Sequence, residues 1–475
     1  MKTLLFLDNQ FLNVIDNSEF ILNKIEIWGE PYIDPAQSKV SICWGYPFVF
    51  YSSSLSKYIM LYQGWSKDKD FIKYTLPLCA ISDDGNKWKP YDTSLYFVHD
   101  KILFNQILPT KYKDMTICES QFFYLENLKS QYKYIALCLY ITEEKEYKAL
   151  IMHSKDGLTW KIMKGAVWHN GTDAPDYPVS VYYDKQKDVH VICKRPTHND
   201  RRISLSVTRD FKKVTESKLI LQPDVLDGVG TDMYGMHVRA GDGFYLGLIM
   251  LYHTPNYLEK DGKKVSGTPT HKFWGGRVDT QLTYSLNGES FQRYLRKPLF
   301  GGDRDKYGCI YPTCIFDRND EWYIYASATT EEHGYIADGQ GQIISYKVAK
   351  NRFGGIRGGV SGLLITRGLY FKGDSLSFNI DARNGFARVQ ICDPHGKPYD
   401  GFSFSDCTPL TTDDSNHSFT FKNRIEELKN KVLVLHIELK NATLYSVTGD
   451  LFKVTPYQVM LWVNNKIIPQ QIDGI

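Results

Sequence analysis

Carboxylic acids recur in this sequence at one kind of place, just ahead of a short apolar run. Glu30 and Asp34 precede the first such run, Asp114 and Glu119 the second, and Asp173 and Asp176 the third. Asp232 stands at the fourth, and Asp303 and Asp305 precede the fifth. Acids gathered from several segments can cleave an acetal linkage: one carboxyl protonates the leaving oxygen while another acts as nucleophile or as base toward water. In a partly dry setting such acids also shift each other's pKa. Glu119, Asp176 and Asp232 directly adjoin their apolar runs and form the leading trio. Asp34 is the first run's candidate for the nucleophile or base. Each acid taken singly is also an ordinary turn or strand-cap residue.

Side chains suited to holding a polyhydroxylated ligand cluster near the same places. Trp44, Tyr46, Trp65, Trp274 and Tyr307 offer rings that stack on the flat C–H faces of sugars. Donors are dense in K-R-P-T-H-N-D-R-R (194–202), where Arg195, His198 and Arg201 suit hydroxyls, a carboxylate or a sulfate. His237, Arg277, Asp279 and His333 complete the expected set, His333 as a group that orients a carboxylate. No H-E-x-x-H, phosphate-binding loop, G-x-G-x-x-G or G-x-S-x-G motif occurs. Neither a metal nor a cofactor is expected.

The elements that must position these residues follow an internal repeat. An apolar strand, a polar turn and a second apolar strand recur from Tyr46, Ser120, Tyr177, Tyr234 and Tyr311. The second strands are K-Y-I-M-L-Y-Q-G-W, Y-K-Y-I-A-L-C-L-Y, D-V-H-V-I-C-K-R, G-F-Y-L-G-L-I-M-L and E-W-Y-I-Y-A-S. Four copies continue into a third strand ending in a tight turn and an aromatic. Those turns are S-D-D-G-N-K-W (82–88), S-K-D-G-L-T-W (154–160), S-L-N-G-E-S-F (285–291) and the degenerate T-R-D-F-K-K-V (208–214). Such units predict four-stranded blades, and five of them a β-propeller over residues 1–355. The acids then line a central funnel.

Past the Gly-rich stretch 351–362, alternation takes over at Leu376, Phe378 and Ile380, at Ala387, Val389 and Ile391, and from Leu433 to Leu439. The fold class expected is therefore all-β, a five-bladed propeller followed by a β-sandwich over 362–475 with a packing role. Helical periodicity is hinted at only over 421–430.

Bulk properties narrow the partners. The chain has 475 residues, a net charge of +3 and 14% aromatic residues. A near-neutral charge gives no electrostatic case for nucleic acid or an anionic membrane. Nine scattered cysteines without a C-x-x-C pair read as buried apolar residues rather than a disulfide framework or zinc site. The apolar run Leu4–Leu7 is too short for a secretory leader, and no run is long enough to span a bilayer. Cytoplasmic location is the default expectation, unless a leader has been removed. The sequence is silent on oligomeric state.

At these segments the chain resembles the five-bladed propeller glycoside hydrolases that include families 32 and 43, and more closely bacterial family-32-like glycosidases. The segments that carry the likeness are W-G-Y-P-F-V-F-Y, M-L-Y-Q-G-W, S-K-D-G-L-T-W, T-D-M-Y-G-M, V-D-T-Q-L-T-Y-S-L-N-G and G-K-P-Y-D-G-F-S-F-S-D-C. The resemblance implies a glycoside hydrolase acting on an oligosaccharide or polysaccharide end. The acid motifs of family 32 (W-M-N-D-P-N-G, R-D-P, E-C-P) are absent. By position, Asp176 is expected as general acid, Glu119 as its pKa-setting partner, and Asp34 or Asp232 as nucleophile or base. Two alternatives stand beside hydrolysis. One is a non-catalytic carbohydrate-binding propeller. The other is a phosphorylase, with Lys194, Arg195 and Arg277 near phosphate.

Overall fold

The computed structural model describes residues 1–31, 33, 42–43, 45–65, 75–93, 97–98, 101–102, 105–109, 111–112, 115–125, 133–144, 146–170, 175–197, 200–228, 230–254, 258–260, 263–265, 276–302, 304, 306–333 and 341–464. The protein is all-β, with a single α-helix among the described residues. No described helix is long and apolar enough to cross a membrane.

Strands β1 (Lys2–Leu5) and β2 (Leu12–Leu22) come first, then β3 (Glu26–Gly29). The first repeat supplies β4 (Ile42–Cys43), β5 (Phe48–Ser52), β6 (Lys57–Trp65), β7 (Thr75–Ser82) and β8 (Lys89–Pro90), which form one antiparallel sheet. A small hairpin, β9 (Phe97–Val98) and β10 (Lys101–Ile102), follows. The second sheet is β11 (Lys111–Tyr112), β12 (Met115–Tyr124), β13 (Tyr134–Ile141), β14 (Tyr147–Ser154) and β15 (Trp160–Ile162) in that order. The third is β16 (Ser180–Asp184), β17 (Val189–Lys194), β18 (Ile203–Thr208) and β19 (Lys218–Leu221).

In the fourth repeat β20 (Thr231–Ala240) and β21 (Tyr245–His253) are followed by a short hairpin, β22 (Leu258–Lys260) and β23 (Lys263–Val265). Strands β24 (Arg277–Ser285) and β25 (Gln292–Phe300) complete that meander. The fifth consists of β26 (Cys309–Arg318), β27 (Glu321–Thr329) and β28 (Gly341–Ala349), and its outermost strand is β3, from near the other end of the chain. One parallel bridge, Val278 to Cys309, joins the fourth and fifth meanders.

The first strands of the five repeats touch in a closed cycle: β5 meets β12, β12 meets β16, β16 meets β20, β20 meets β26, and β26 returns to β5. Hydrogen bonds made by side chains cross several of these steps. The Val179 N–H, just ahead of β16, donates to Gln121 Oε1 of β12 at 2.9 Å. Val238 N–H donates to Ser180 Oγ at 3.1 Å, and Thr313 Oγ1 donates to the Pro47 carbonyl at 2.9 Å. Apolar residues between neighbouring sheets, such as Ile59, Leu61, Ala136 and Cys138, are fully buried.

The Asp-Gly turns are built alike. Ser82 Oγ accepts from Gly85 N at 2.9 Å, Asp84 Oδ1 accepts from Asn86 and Lys87 N at 2.8 Å, and Trp88 Nε1 donates to the Gly85 carbonyl at 3.0 Å. Ser154, Asp156, Gly157 and Trp160 repeat that set. Gly85, Gly157 and Gly288 hold φ near +80°, +78° and +71°. In the degenerate copy Phe211 occupies this left-handed position at φ 58°, with its ring buried.

The remaining strands are β29 (Gly354–Thr366), β30 (Leu369–Asp381), β31 (Phe386–Cys392), β32 (Asp413–His417), β33 (Lys431–Lys440) and β34 (Thr443–Lys453), before helix α1 (Pro456–Val463). Their hydrogen bonding returns on itself through β29, β34, β30 and β33. Leu364, Phe378, Leu435, Ile437 and Val447 are buried there.

A boundary between 355 and 362 differs from the compact units. One unit is Ile25–Ala240 with Tyr245–Lys347, and the other is Met1–Lys24 and Gly241–Phe244 with Val348–Ile475. The first residues join the C-terminal segment because β1 pairs with β34 and β2 with β29. The helical hint at 421–430 corresponds to a 3-10 turn at Ile425–Leu428. Helix α1 was not foreseen, although its Thr-Pro-x-Gln start is a capping box: Thr455 Oγ1 accepts from Gln458 N at 3.2 Å.

Candidate functional site

Bulges and one strained residue aim side chains at a common place in the larger unit. The β12–β13 ladder slips between Ile117 and Glu119, and the β20–β21 ladder slips between Met233 and Gly235. The β26–β27 ladder does the same between Pro312 and Cys314. An extra residue in a ladder re-aims its neighbours. Here the neighbours are Glu119, Tyr234 and Tyr311. Tyr46, just ahead of β5, reaches its position with φ of 42°, a left-handed conformation that costs a non-glycine residue about 1–2 kcal/mol.

At the centre is Arg195, only 1% exposed. Its Nη1 donates to Asp176 Oδ2 at 3.1 Å, its Nε to the Tyr234 carbonyl at 2.9 Å, and its Nη2 to the Tyr177 carbonyl at 3.0 Å. The Tyr234 ring lies over the guanidinium at 4.4 Å. Asp176 Oδ1 also accepts from the Tyr177 N–H at 2.9 Å.

Glu119 has its carboxyl close enough to Asp176 for that neighbour to raise its pKa. It keeps part of its surface open, but Oε2 is enclosed and has no hydrogen-bond partner among the described residues. Burial, and then the negative charge of Asp176, hold the Glu119 carboxyl well above the usual range, against the opposing pull of Arg195.

Tyrosines wall this cluster. Tyr46 stacks on Tyr177 at 6.0 Å, and the Tyr177 hydroxyl donates to the Leu137 carbonyl at 2.8 Å. Tyr234 packs against Tyr311 at 5.1 Å, and its hydroxyl meets His333 Nε2 at 3.0 Å. Arg201 lies 4.6 Å above the Tyr252 ring and 3.8 Å from Asp232 Oδ2. Burial raises the Asp232 pKa, while Arg201 and then Arg195 oppose the shift.

Glu119, Asp176, Arg195 and Tyr46 are thus gathered together. Asp232 is near enough to feel the charges of Arg201 and Arg195, and His333 joins through Tyr234. Three of the five Arg195 N–H donors go to a carboxylate and two carbonyls and the side chain is buried, so it supports the cluster rather than reaching out to a ligand as expected.

Four other expected residues are placed elsewhere. His237 stands five positions along β20 from Asp232, about 16 Å at strand spacing. Its Nδ1 is enclosed, and burial lowers its pKa to about 3. Arg277 and Asp279 lie on β24, two strands and about 10 Å from β20. Asp279 is bound there by His253 Nε2 at 2.6 Å. The Tyr307 hydroxyl donates to Glu30 at 2.9 Å and accepts from Gln342 at 2.6 Å, toward the outer strands of the fifth sheet. Asp34, Trp44 and Trp274 lie outside the described residues, as does the side chain of Trp65. Tyr252 was missed by sequence reasoning, although it stands next to the end of β21, opposite Asp232 in the register. Among the described residues no three His, Cys, Asp or Glu side chains converge as a metal would require.

No protein-family model matches the chain. A search of curated proteins finds no match either. Solved structures that it is similar to include one described as a glycoside hydrolase, with 13% identity and a TM-score of 0.44 over 73% of this chain and 92% of that one. An N-acetylgalactosamine deacetylase from F. plautii, in complex with blood group B trisaccharide, has 12% identity and a TM-score of 0.44 over 70% and 96%. A family 43 endo-arabinanase from Bacillus licheniformis has 10% identity and a TM-score of 0.40 over 67% and 96%.

Proposed function

We propose that the protein is a glycosidase built on a five-bladed propeller with an accompanying β-sandwich, of the family-32-like type that its sequence segments resemble. The closed cycle of first strands supports the propeller reading. One observation carries the chemistry: the Glu119 and Asp176 carboxyls are close neighbours, and Arg195 binds Asp176 directly. In this reading Glu119 is the general acid that protonates the leaving oxygen. Asp176, bound by Arg195, raises the Glu119 pKa and so favours the protonated form of that carboxyl. Sequence position gave the two acids the opposite roles, and the ion pair favours the exchange.

Two carboxyls so near each other are too close to flank a scissile bond, which needs about 5–5.5 Å for retention or about 6.5–9.5 Å for inversion. In this reading the second acid is Asp232, which stands beside Arg201 and near Arg195. Tyr46 and Tyr234 hold the cluster in place, Tyr46 against Tyr177 and Tyr234 against Arg195 and Tyr311. Phosphorolysis is the second reading, favoured by the Arg201 guanidinium held on Tyr252 beside Asp232.

The test is product analysis on a panel of oligosaccharides, with and without phosphate, for the wild type and for Glu119→Gln, Asp176→Asn and Asp232→Asn. The expected result is turnover by the wild type and a loss of about 100-fold or more in Glu119→Gln. Unchanged turnover in both Glu119→Gln and Asp232→Asn would overturn the assignment, and phosphate dependence would move it to phosphorolysis.

A further inference from the structure

The smaller unit holds a cavity of about 220 Å³ beside the β29–β30 turn. Its walls are mostly aliphatic: Pro394, Val434, Val454 and Val459. Two polar side chains line it, Arg367 and Asn13. Arg367 is half-buried, and its Nε is enclosed without a hydrogen-bond partner among the described residues. No carboxylate among the described residues is recorded in an ion pair with it. A half-buried permanent cation beside aliphatic walls favours an anion that its outer nitrogens can meet from the cavity.

The space depends on a glycine. A Cβ on Gly368 would stand 3.0 Å from Val454 Cγ2 and from Val459 Cγ2, so a side chain there would press into the walls. Val459 belongs to α1, whose first turn closes one side of the cavity.

We infer that this cavity binds a small aliphatic carboxylate, its two oxygens on the Arg367 guanidinium and its chain against Val434, Val454 and Val459. The guanidinium fork matches the planar pair of carboxylate oxygens. Asn13 offers a further donor at the rim. The volume equals that of about seven waters and lies below the range of drug-sized pockets, so it admits a chain of a few carbons. A sugar is a poorer fit, because the lining includes no aromatic ring to stack on a pyranose face. This site is independent of the Glu119 cluster and of the reaction proposed there.

The probe is pentanoate, with pentanamide as its uncharged counterpart. Titration calorimetry is paired with methyl spectra of valine-labelled full-length protein. The expected result is one pentanoate per chain, bound at least tenfold more tightly than pentanamide, with shifts at the Val434, Val454 and Val459 methyls. Arg367→Met reduces pentanoate to the level of pentanamide, Arg367→Lys retains part of the preference, and Glu119→Gln leaves binding unchanged. Should Arg367→Met not fold, Gly368→Ala serves instead, narrowing the cavity and weakening pentanoate several-fold. Equal affinity for the two probes, shifts confined to other valines, or no binding at millimolar pentanoate would each overturn the inference.

Discussion

Glu119 stands on the bulged strand β12 and Asp176 in the residues ahead of β16, and their carboxyls lie close enough for Asp176 to raise the Glu119 pKa. Only Asp176 is bonded to a guanidinium, so the two carboxyls are chemically unequal although they are neighbours.

This inequality sets a pH dependence. Glu119 ionises near 4.5 when unperturbed, and in the folded protein it keeps its proton to higher pH. Above about pH 4.5 the folded state thus binds more protons than the unfolded chain, so stability falls as pH rises through the folded pKa. Thermal melts of wild type and Glu119→Gln from about pH 4 to about pH 8 are expected to show the variant gaining relative to wild type as pH rises. Activity is expected to fall on the alkaline side as Glu119 loses its proton.

Arg195 is the support most sensitive to loss. Arg195→Met leaves two buried carbonyls and a carboxylate without their donor, and a cost of roughly 3 kcal/mol is expected in urea unfolding. Arg195→Lys keeps the charge but not the three-way fork, so it is expected to recover only part of this.

The repeated turns give a graded test. Gly157→Ala would place a methyl 2.4 Å from the Phe50 ring at φ +78°, whereas in Gly85→Ala the nearest atom, the Tyr325 hydroxyl, is 3.2 Å away. Losses of about 2–4 kcal/mol and about 1–2 kcal/mol respectively are expected in thermal unfolding.

The cysteines offer a probe of intactness. Burial pushes the Cys118 thiol up to about 12, and those of Cys79, Cys138 and Cys193 higher still. These four are expected to resist iodoacetamide at neutral pH in the native protein and to react once urea unfolds it. Mass spectrometry of the alkylated peptides checks the outcome.

The hairpin repeat and the Asp-Gly turns were legible because their signals are local. Alternation, a tight turn and an aromatic lie within a few residues of one another. The neighbourhood of Glu119 and Asp176 was legible for the same reason, since acids stood at matching places in successive repeats. What escaped depends on distant partners. Nothing beside Glu26–Gly29 signals that it completes the fifth sheet against β28. Arg195 lay in a donor-dense stretch that reads as a ligand-facing loop, and its burial follows from carbonyls at Tyr177 and Tyr234. Phe211 in a left-handed turn position contradicts the local preference, and its buried ring offsets that cost. Asp279 and Tyr307 had suitable types near suitable strands, but strand order turned them toward His253 and Glu30.

The pairing of β3 with β28 also bears on how the molecule is made. The ribosome delivers residues 26–29 long before residues 341–349, by on the order of tens of seconds at ordinary elongation rates. Strands β1 and β2 wait similarly for β34 and β29. Throughout that interval the nascent chain carries unpaired strand edges, which invite association with other chains. Neither unit can finish folding vectorially, so the closing hydrogen-bond seams form only once β28 and β34 have emerged.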